Sequence, residues 1–161
     1  MWWLKLPPHT TFSPYLDESN KFQKASENMT TEFFMSMNPP TVTQQMHRVT
    51  IINGKKIFYN SPELTDARSK LLAHLAKHIP DKSYDSAVRL TVKWLFPIKG
   101  SHRDGEYKTT RPDTDNLQKM LKDVMTDLTF WKDDALVASE IVEKFWAAYP
   151  GIYIKIESLT E

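Results

Sequence analysis

Hydrophobic and polar positions along the chain fall into two regimes. Up to about residue 30 neither the helical nor the strand period appears. That stretch is rich in Pro, Ser, Thr and Asn, its charges cancel, and it reads as an N-terminal extension, either a disordered arm or a start-site artefact. From Thr31 the pattern changes. Residues 31–37 read as a first strand, ended by Asn38-Pro39-Pro40 because proline cannot donate to a central ladder. Residues 47–52 and 55–59 flank Asn53-Gly54, a pair that tolerates the positive φ of a tight hairpin turn. Ser61-Pro62-Glu63 offers an N-cap serine, a proline at the first helical position and an early acid. The helix they open is expected to reach Ile79, before Pro80, with Leu71, Leu72, Leu75 and Ile79 as its inner face.

Val88, Leu90, Val92, Trp94 and Phe96 alternate with more polar residues, which predicts a long strand ending at Pro97. In a second helix, from about Asp113 to Leu128, Leu117, Met120, Leu121, Val124 and Leu128 share one face and must pack on a sheet. Residues 136–146 and 151–158 are two last strands around Pro150-Gly151. Short turns imply antiparallel neighbours and helical connections allow parallel ones. The economical architecture is therefore α+β: a single domain over residues 31–161, with a mixed sheet covered by two main helices.

Composition narrows the chemistry. At 161 residues with 40% hydrophobic and 25% charged content, the chain is ordinary for one globular domain. Zero cysteines exclude disulfides, Cys-ligated zinc, iron–sulfur clusters and thiol nucleophiles. Any metal must be held by Asp, Glu, His or carbonyl oxygen. No apolar run approaches membrane-spanning length, so no membrane partner and a cytoplasmic location are expected. A net charge of +1 means that a polyanion must be held by local positive charge.

The informative stretch is Arg111-Pro112-Asp113-Thr114-Asp115-Asn116-Leu117-Gln118-Lys119, followed by Phe130-Trp131-Lys132-Asp133-Asp134. Taken singly, each acid has a bland role. Asp at a helix start caps it, Asp and Lys four apart form a solvated pair, and Asp133-Asp134 is a turn former. Together, Asp113 and Asp115 with the later pair would repel if they converged without a cation. Three convergent Asp suit a hard divalent ion such as Mg²⁺, which can activate water and neutralise a phosphodiester. Lys119 would lie beside it as a compact cation for a pentacovalent phosphorus or a leaving oxygen.

These blocks, with Asp123 between them and Val137 after, closely resemble the signature of the RusA-like Holliday junction resolvases, Mg²⁺-dependent endonucleases of prophages and bacteria. The resemblance spans about Phe33 to Ser158, and its specificity lies in residues 111 to 137. It implies catalytic roles for Asp113, Asp115, Lys119 and Asp134, with Asp113, Asp115 and Asp134 holding Mg²⁺, which Mn²⁺ can replace. It also implies a homodimer cutting symmetric strands of a four-way DNA junction in recombination and repair. Asp123 and Asp133 match family positions and are read as supporting neighbours.

Two basic clusters are candidate DNA contacts. Lys99, Arg103, Lys108 and Arg111 precede the second helix in a stretch that Gly100 and Gly105 are expected to make mobile, and Arg48, Lys55 and Lys56 lie in an acid-free segment. Such contacts position a duplex without reading its sequence. His74 and His78, four apart, lack a third ligand and read as helix-border residues, while Trp94 and Trp146 read as core or sheet-edge aromatics. Trp131 is expected to set the loop that delivers Asp134. Two other functions compete: a less selective Mg²⁺ nuclease for flaps or forks, and a non-catalytic DNA-binding or phage-assembly protein whose carboxylates are caps.

Overall fold

A computed structural model of the chain describes residues 29–43 and 48–159. The extension read for the N-terminus lies outside them up to residue 28, as does His47. Six strands and two helices follow in the order β1 (Thr30–Ser36), β2 (Arg48–Ile52), β3 (Lys55–Tyr59), α1 (Pro62–Leu75), β4 (Val88–Pro97), α2 (Thr114–Asp127), β5 (Val137–Ala147) and β6 (Gly151–Ser158). Four strands form a mixed sheet in the order β1-β6-β4-β5, and the β2–β3 hairpin is a separate two-stranded sheet. The architecture is α+β, with a parallel β4–β5 pair connected through α2 and antiparallel pairs elsewhere.

Two expectations change. Residues on either side of Pro150-Gly151 were expected to pair as a hairpin, but β4 lies between β5 and β6. The reason is burial. Val88, Leu90, Val92 and Trp94 are all fully buried, and a strand that apolar on its inner face is best satisfied in the middle of a sheet. The second concerns α1, which ends at Leu75 and passes into a 3₁₀ turn at Ala76–His78. Leu64, Leu71 and Leu75 form its buried face, whereas Leu72 and Ile79 are 38% and 43% exposed. Its start follows the sequence: Ser61 Oγ accepts the Leu64 N–H at 3.2 Å, with Pro62 at the first position.

The α2 stripe packs as expected, with Leu117, Met120, Leu121 and Val124 buried completely. Each such side chain contributes about 2 kcal/mol of burial free energy, so the stripe holds α2 in one rotational setting. That setting turns Asp115, Lys119 and Lys122 to the opposite side.

Candidate active site

The entrance to α2 is held from the sheet below it. In β5, side chains at 140, 142 and 144 leave the same face, because alternate residues of a strand point the same way. Lys144 Nζ donates to the carbonyls of Thr110 at 3.0 Å and Pro112 at 2.7 Å. Lys108 donates to the Thr110 carbonyl at 2.9 Å, to the Thr110 hydroxyl and to the Arg111 carbonyl. Two ammonium groups thus grip three consecutive carbonyls immediately before Asp113.

Lys108 was expected to contact DNA, and its placement is different. Its residue is 7% exposed, all three of its protons have acceptors, and its ammonium lies 5.0 Å from the Phe96 ring and 4.8 Å from the Trp146 ring. Burial, and then the nearby charges of Lys144 and Lys99, hold its pKa below the usual lysine range. No proton is left for a phosphate. Lys99, Arg103 and Arg111, by contrast, are exposed.

The segment carrying these residues is docked rather than loose. Gly105 N–H donates to Trp146 O at 2.9 Å, Trp146 N–H to Glu106 O at 2.8 Å, and Lys108 N–H to Lys144 O at 2.9 Å. It therefore runs along the outer edge of β5 as an extra, irregular strand. His102 stacks on Trp146 with ring centroids 4.6 Å apart. The glycines serve turns there: Gly105 has φ of +80°.

The acids divide by role. Asp113 occupies the N-cap position of α2, yet its side chain makes no capping hydrogen bond. Asp133 does cap: its Oδ1 accepts the Ala135 N–H at 2.8 Å, opening the 3₁₀ turn Asp134–Leu136. Asp134 is left exposed and without a partner among the described residues, as are Asp113, Asp115 and Lys119. The turn is anchored by Trp131, which is buried, donates from Nε1 to Thr126 Oγ1 at 2.8 Å and bridges to Tyr84.

Asp115, Lys119 and Asp134 meet around one cavity of about 510 Å³, lined also by Thr114, Gln118, Lys122, Asp123, Glu140 and Val142. Residues nineteen positions apart in sequence are brought together because α2 runs out and the 131–136 segment returns beside it. Asp113 stands at the helix entrance and is not among the lining side chains. A second cavity shares Asp123 and Asp134 with the first and adds Asn60, Arg68, Thr126, Asp127, Lys132 and Asp133. His74 and His78 are in neither cavity, and Phe33 stacks on His78 with ring centroids 4.2 Å apart.

The electrostatics of the first cavity leave a charge to be met. Asp123 has a partner of its own; of the other groups, Asp115, Asp134 and Glu140 face Lys119 and Lys122, and Lys122 is taken by Glu140 at 2.7 Å, which leaves two carboxylates to one ammonium group. Among the described residues no three His, Asp or Glu stand close enough to hold a metal by themselves. The donor set still fits a hard divalent ion: unpaired carboxylate oxygens from Asp115 and Asp134 leave positions for water and phosphate oxygen, as Mg²⁺ prefers.

Sequence reasoning passed over Gln118, Lys122 and Glu140. Gln118 is 3% exposed, its Oε1 accepts from Trp94 Nε1 at 3.2 Å, and its Nε2 has no partner among the described residues. Such an orphan costs about 1–3 kcal/mol. The signal was present: position 118 is three residues after Asp115 and so on its face of the helix.

Comparison with known proteins adds the following. The family described as endodeoxyribonuclease RusA matches residues 38–157. A protein of Lactococcus phage r1t named crossover junction endodeoxyribonuclease rusA is 33% identical over 108 residues, covering 66% of this chain and 81% of its own length. A protein of Bacillus subtilis (strain 168), YqaN, named as uncharacterized, is 28% identical over 131 residues, covering 74% of this chain and 91% of its own.

Proposed function

This chain belongs to the endodeoxyribonuclease RusA family of DNA-cutting hydrolases, and from that premise we propose that it resolves four-way DNA junctions by Mg²⁺-dependent phosphodiester hydrolysis. The observation that carries the reading is one cavity lined by Asp115, Lys119 and Asp134. If these acids were only caps, each would be bonded to backbone, as Asp133 is. Instead Asp113, Asp115 and Asp134 have no partner among the described residues, which leaves their charge for a cation or substrate.

Asp115 and Asp134 would hold the ion, with Asp113 at the helix head facing the same substrate. Bound there, a divalent ion supplies Lewis-acid neutralisation of the phosphate and acidifies a water. Mn²⁺, another oxygen-seeking divalent ion, should substitute. In the hydrolysis, water oxygen bonds to phosphorus as the bond to one sugar oxygen breaks. One fragment keeps a phosphate monoester, and the other takes a proton to become a hydroxyl. Lys119 stabilises the negative charge that builds on the equatorial oxygens or the departing sugar oxygen. Lys99, Arg103 and Arg111 position the duplex.

A junction must be cut on two symmetric strands, so a second copy of the chain would supply the second site, making the active form a homodimer. The likeness to a phage protein supports a prophage-type enzyme acting on cytoplasmic DNA. No helix among the described residues is long and apolar enough to cross a membrane.

The test is cleavage of a synthetic four-way junction beside a flap and a linear duplex, with and without Mg²⁺. Wild type should cut the junction fastest and only with ion. Asp113→Asn, Asp115→Asn and Asp134→Asn should each abolish cutting while leaving junction binding nearly intact. Cleavage by all three variants would refute the assignment, and equal rates on all substrates would refute junction selectivity.

A further inference from the structure

The orphaned amide of Gln118 carries an inference that rests on the reading above and deepens it. An indole N–H can only donate, so the Gln118 group facing Trp94 must be the carbonyl oxygen, and the NH₂ is forced to the other side. The orientation of this amide is therefore fixed by chemistry rather than by choice of flip. Trp94 is itself fully buried in the central strand, so it cannot swing away. The result is a side chain that lines the cavity, lies one helical turn from Asp115, and holds a buried donor with no acceptor among the described residues.

Buried donors without partners are rare, and they mark either a site waiting for a ligand or a buried water. Carboxylates share the cavity wall with this amide, yet none among the described residues bonds it. Glu140 is engaged with Lys122. What the cavity receives in the proposed reaction is a phosphodiester, whose non-bridging oxygens are strong acceptors. We propose that Gln118 donates its amide hydrogen to a non-bridging oxygen of the scissile phosphate, with Trp94 holding the amide in the donating orientation. Such a donor, set before the reaction, costs no reorganisation when charge grows on that oxygen. Gln118 would thus contribute more in the transition state than in binding.

Gln118→Glu keeps the shape and the acceptor for Trp94 but replaces the donor with a second oxygen. Gln118→Met removes both functions. The double variant Trp94→Phe with Gln118→Met removes both polar partners together, which is the change a core tolerates best. Each is compared with wild type for single-turnover junction cleavage in Mg²⁺ and for thermal midpoint. Junction affinity is measured for each in the Asp115→Asn background.

The expected result is a cleavage rate lowered about 100-fold in all three, with junction affinity within about threefold and the double variant melting close to wild type. A merely structural glutamine would move the melting temperature and leave the rate. Rates close to wild type in the double variant would overturn the proposal and assign the amide to a buried water. Loss of affinity in step with rate would overturn it too, in favour of ground-state binding. Should wild type fail to cut, or Asp115→Asn cut normally, the metal-nuclease reading falls and this inference with it. Normal wild-type cutting with unimpaired Gln118 variants removes the inference alone.

Discussion

At the scale of single residues, adjacent or near-adjacent acids take different roles through local hydrogen bonding. Asp133 is spent on the Ala135 N–H, and Asp134 is left for the cavity. The same rule operates at Glu106, whose two carboxylate oxygens accept from the Arg103 N–H at 2.9 Å and pair with His102 Nδ1 at 2.8 Å. Its pKa is held below the ordinary 4.5, first by the Arg103 backbone bond and then by the His102 bond. The folded state therefore favours the carboxylate. That contribution is in place above the ordinary value and is lost as pH falls through the depressed one. A comparison of thermal midpoints for wild type and Glu106→Gln, from about pH 7 down to about pH 3, should show a small wild-type advantage that vanishes at the acid end. An advantage that persists in acid, or one that appears only there, would contradict this account.

At the scale of elements, the parts legible in the sequence are those whose signal is local. The Ser61-Pro62 cap, the Asn53-Gly54 turn and the apolar stripe of α2 depend on neighbours within one or two turns, and the structure has all three. The pairing of Asp115 and Asp134 across one cavity followed from helix and return loop. What could not be read were partners chosen by the sheet. Strand order placed β4 between β5 and β6, left Leu72 facing outward, and buried Lys108 in a ring-lined slot that no run of letters announces. Residue Lys144 belongs to the same class, since its hold on the Thr110 and Pro112 carbonyls exists only because β5 passes under the start of α2. Removing that hold should let Asp113 drift from its place. For Lys144→Met we expect single-turnover cleavage about 10-fold to 100-fold slower, as for lost supporting contacts at metal sites, with Lys144→Arg recovering most of it. Equal rates in Lys144→Met and wild type would show that the α2 entrance holds without it.

For the whole molecule, the puzzle is how a chain of net charge +1 grips a polyanion around a cavity that is itself acidic. The answer must lie in separation of charge. Acids gather at the cavity where the proposed ion would be held, and exposed Lys99, Arg103 and Arg111 stand on the segment along the edge of β5, ahead of α2. Because that segment is tied to β5 by backbone bonds, its cations keep a fixed relation to the cavity, which a loose arm would not. Each phosphate contact releases a condensed counterion, making the fall of log K with log salt steeper by about 0.9 on a duplex. Binding of a junction to the Asp115→Asn protein, measured across a salt series, should therefore have its slope reduced by roughly 3 when Lys99, Arg103 and Arg111 are all changed to Ala. Lys108→Met is the internal contrast. Its ammonium is already committed to Thr110 and Arg111, so it should lower the melting temperature and leave the salt slope unchanged. A fall in slope of about one for Lys108→Met would place that lysine at the DNA after all, and an unchanged slope in the triple variant would move the duplex to another face of the molecule.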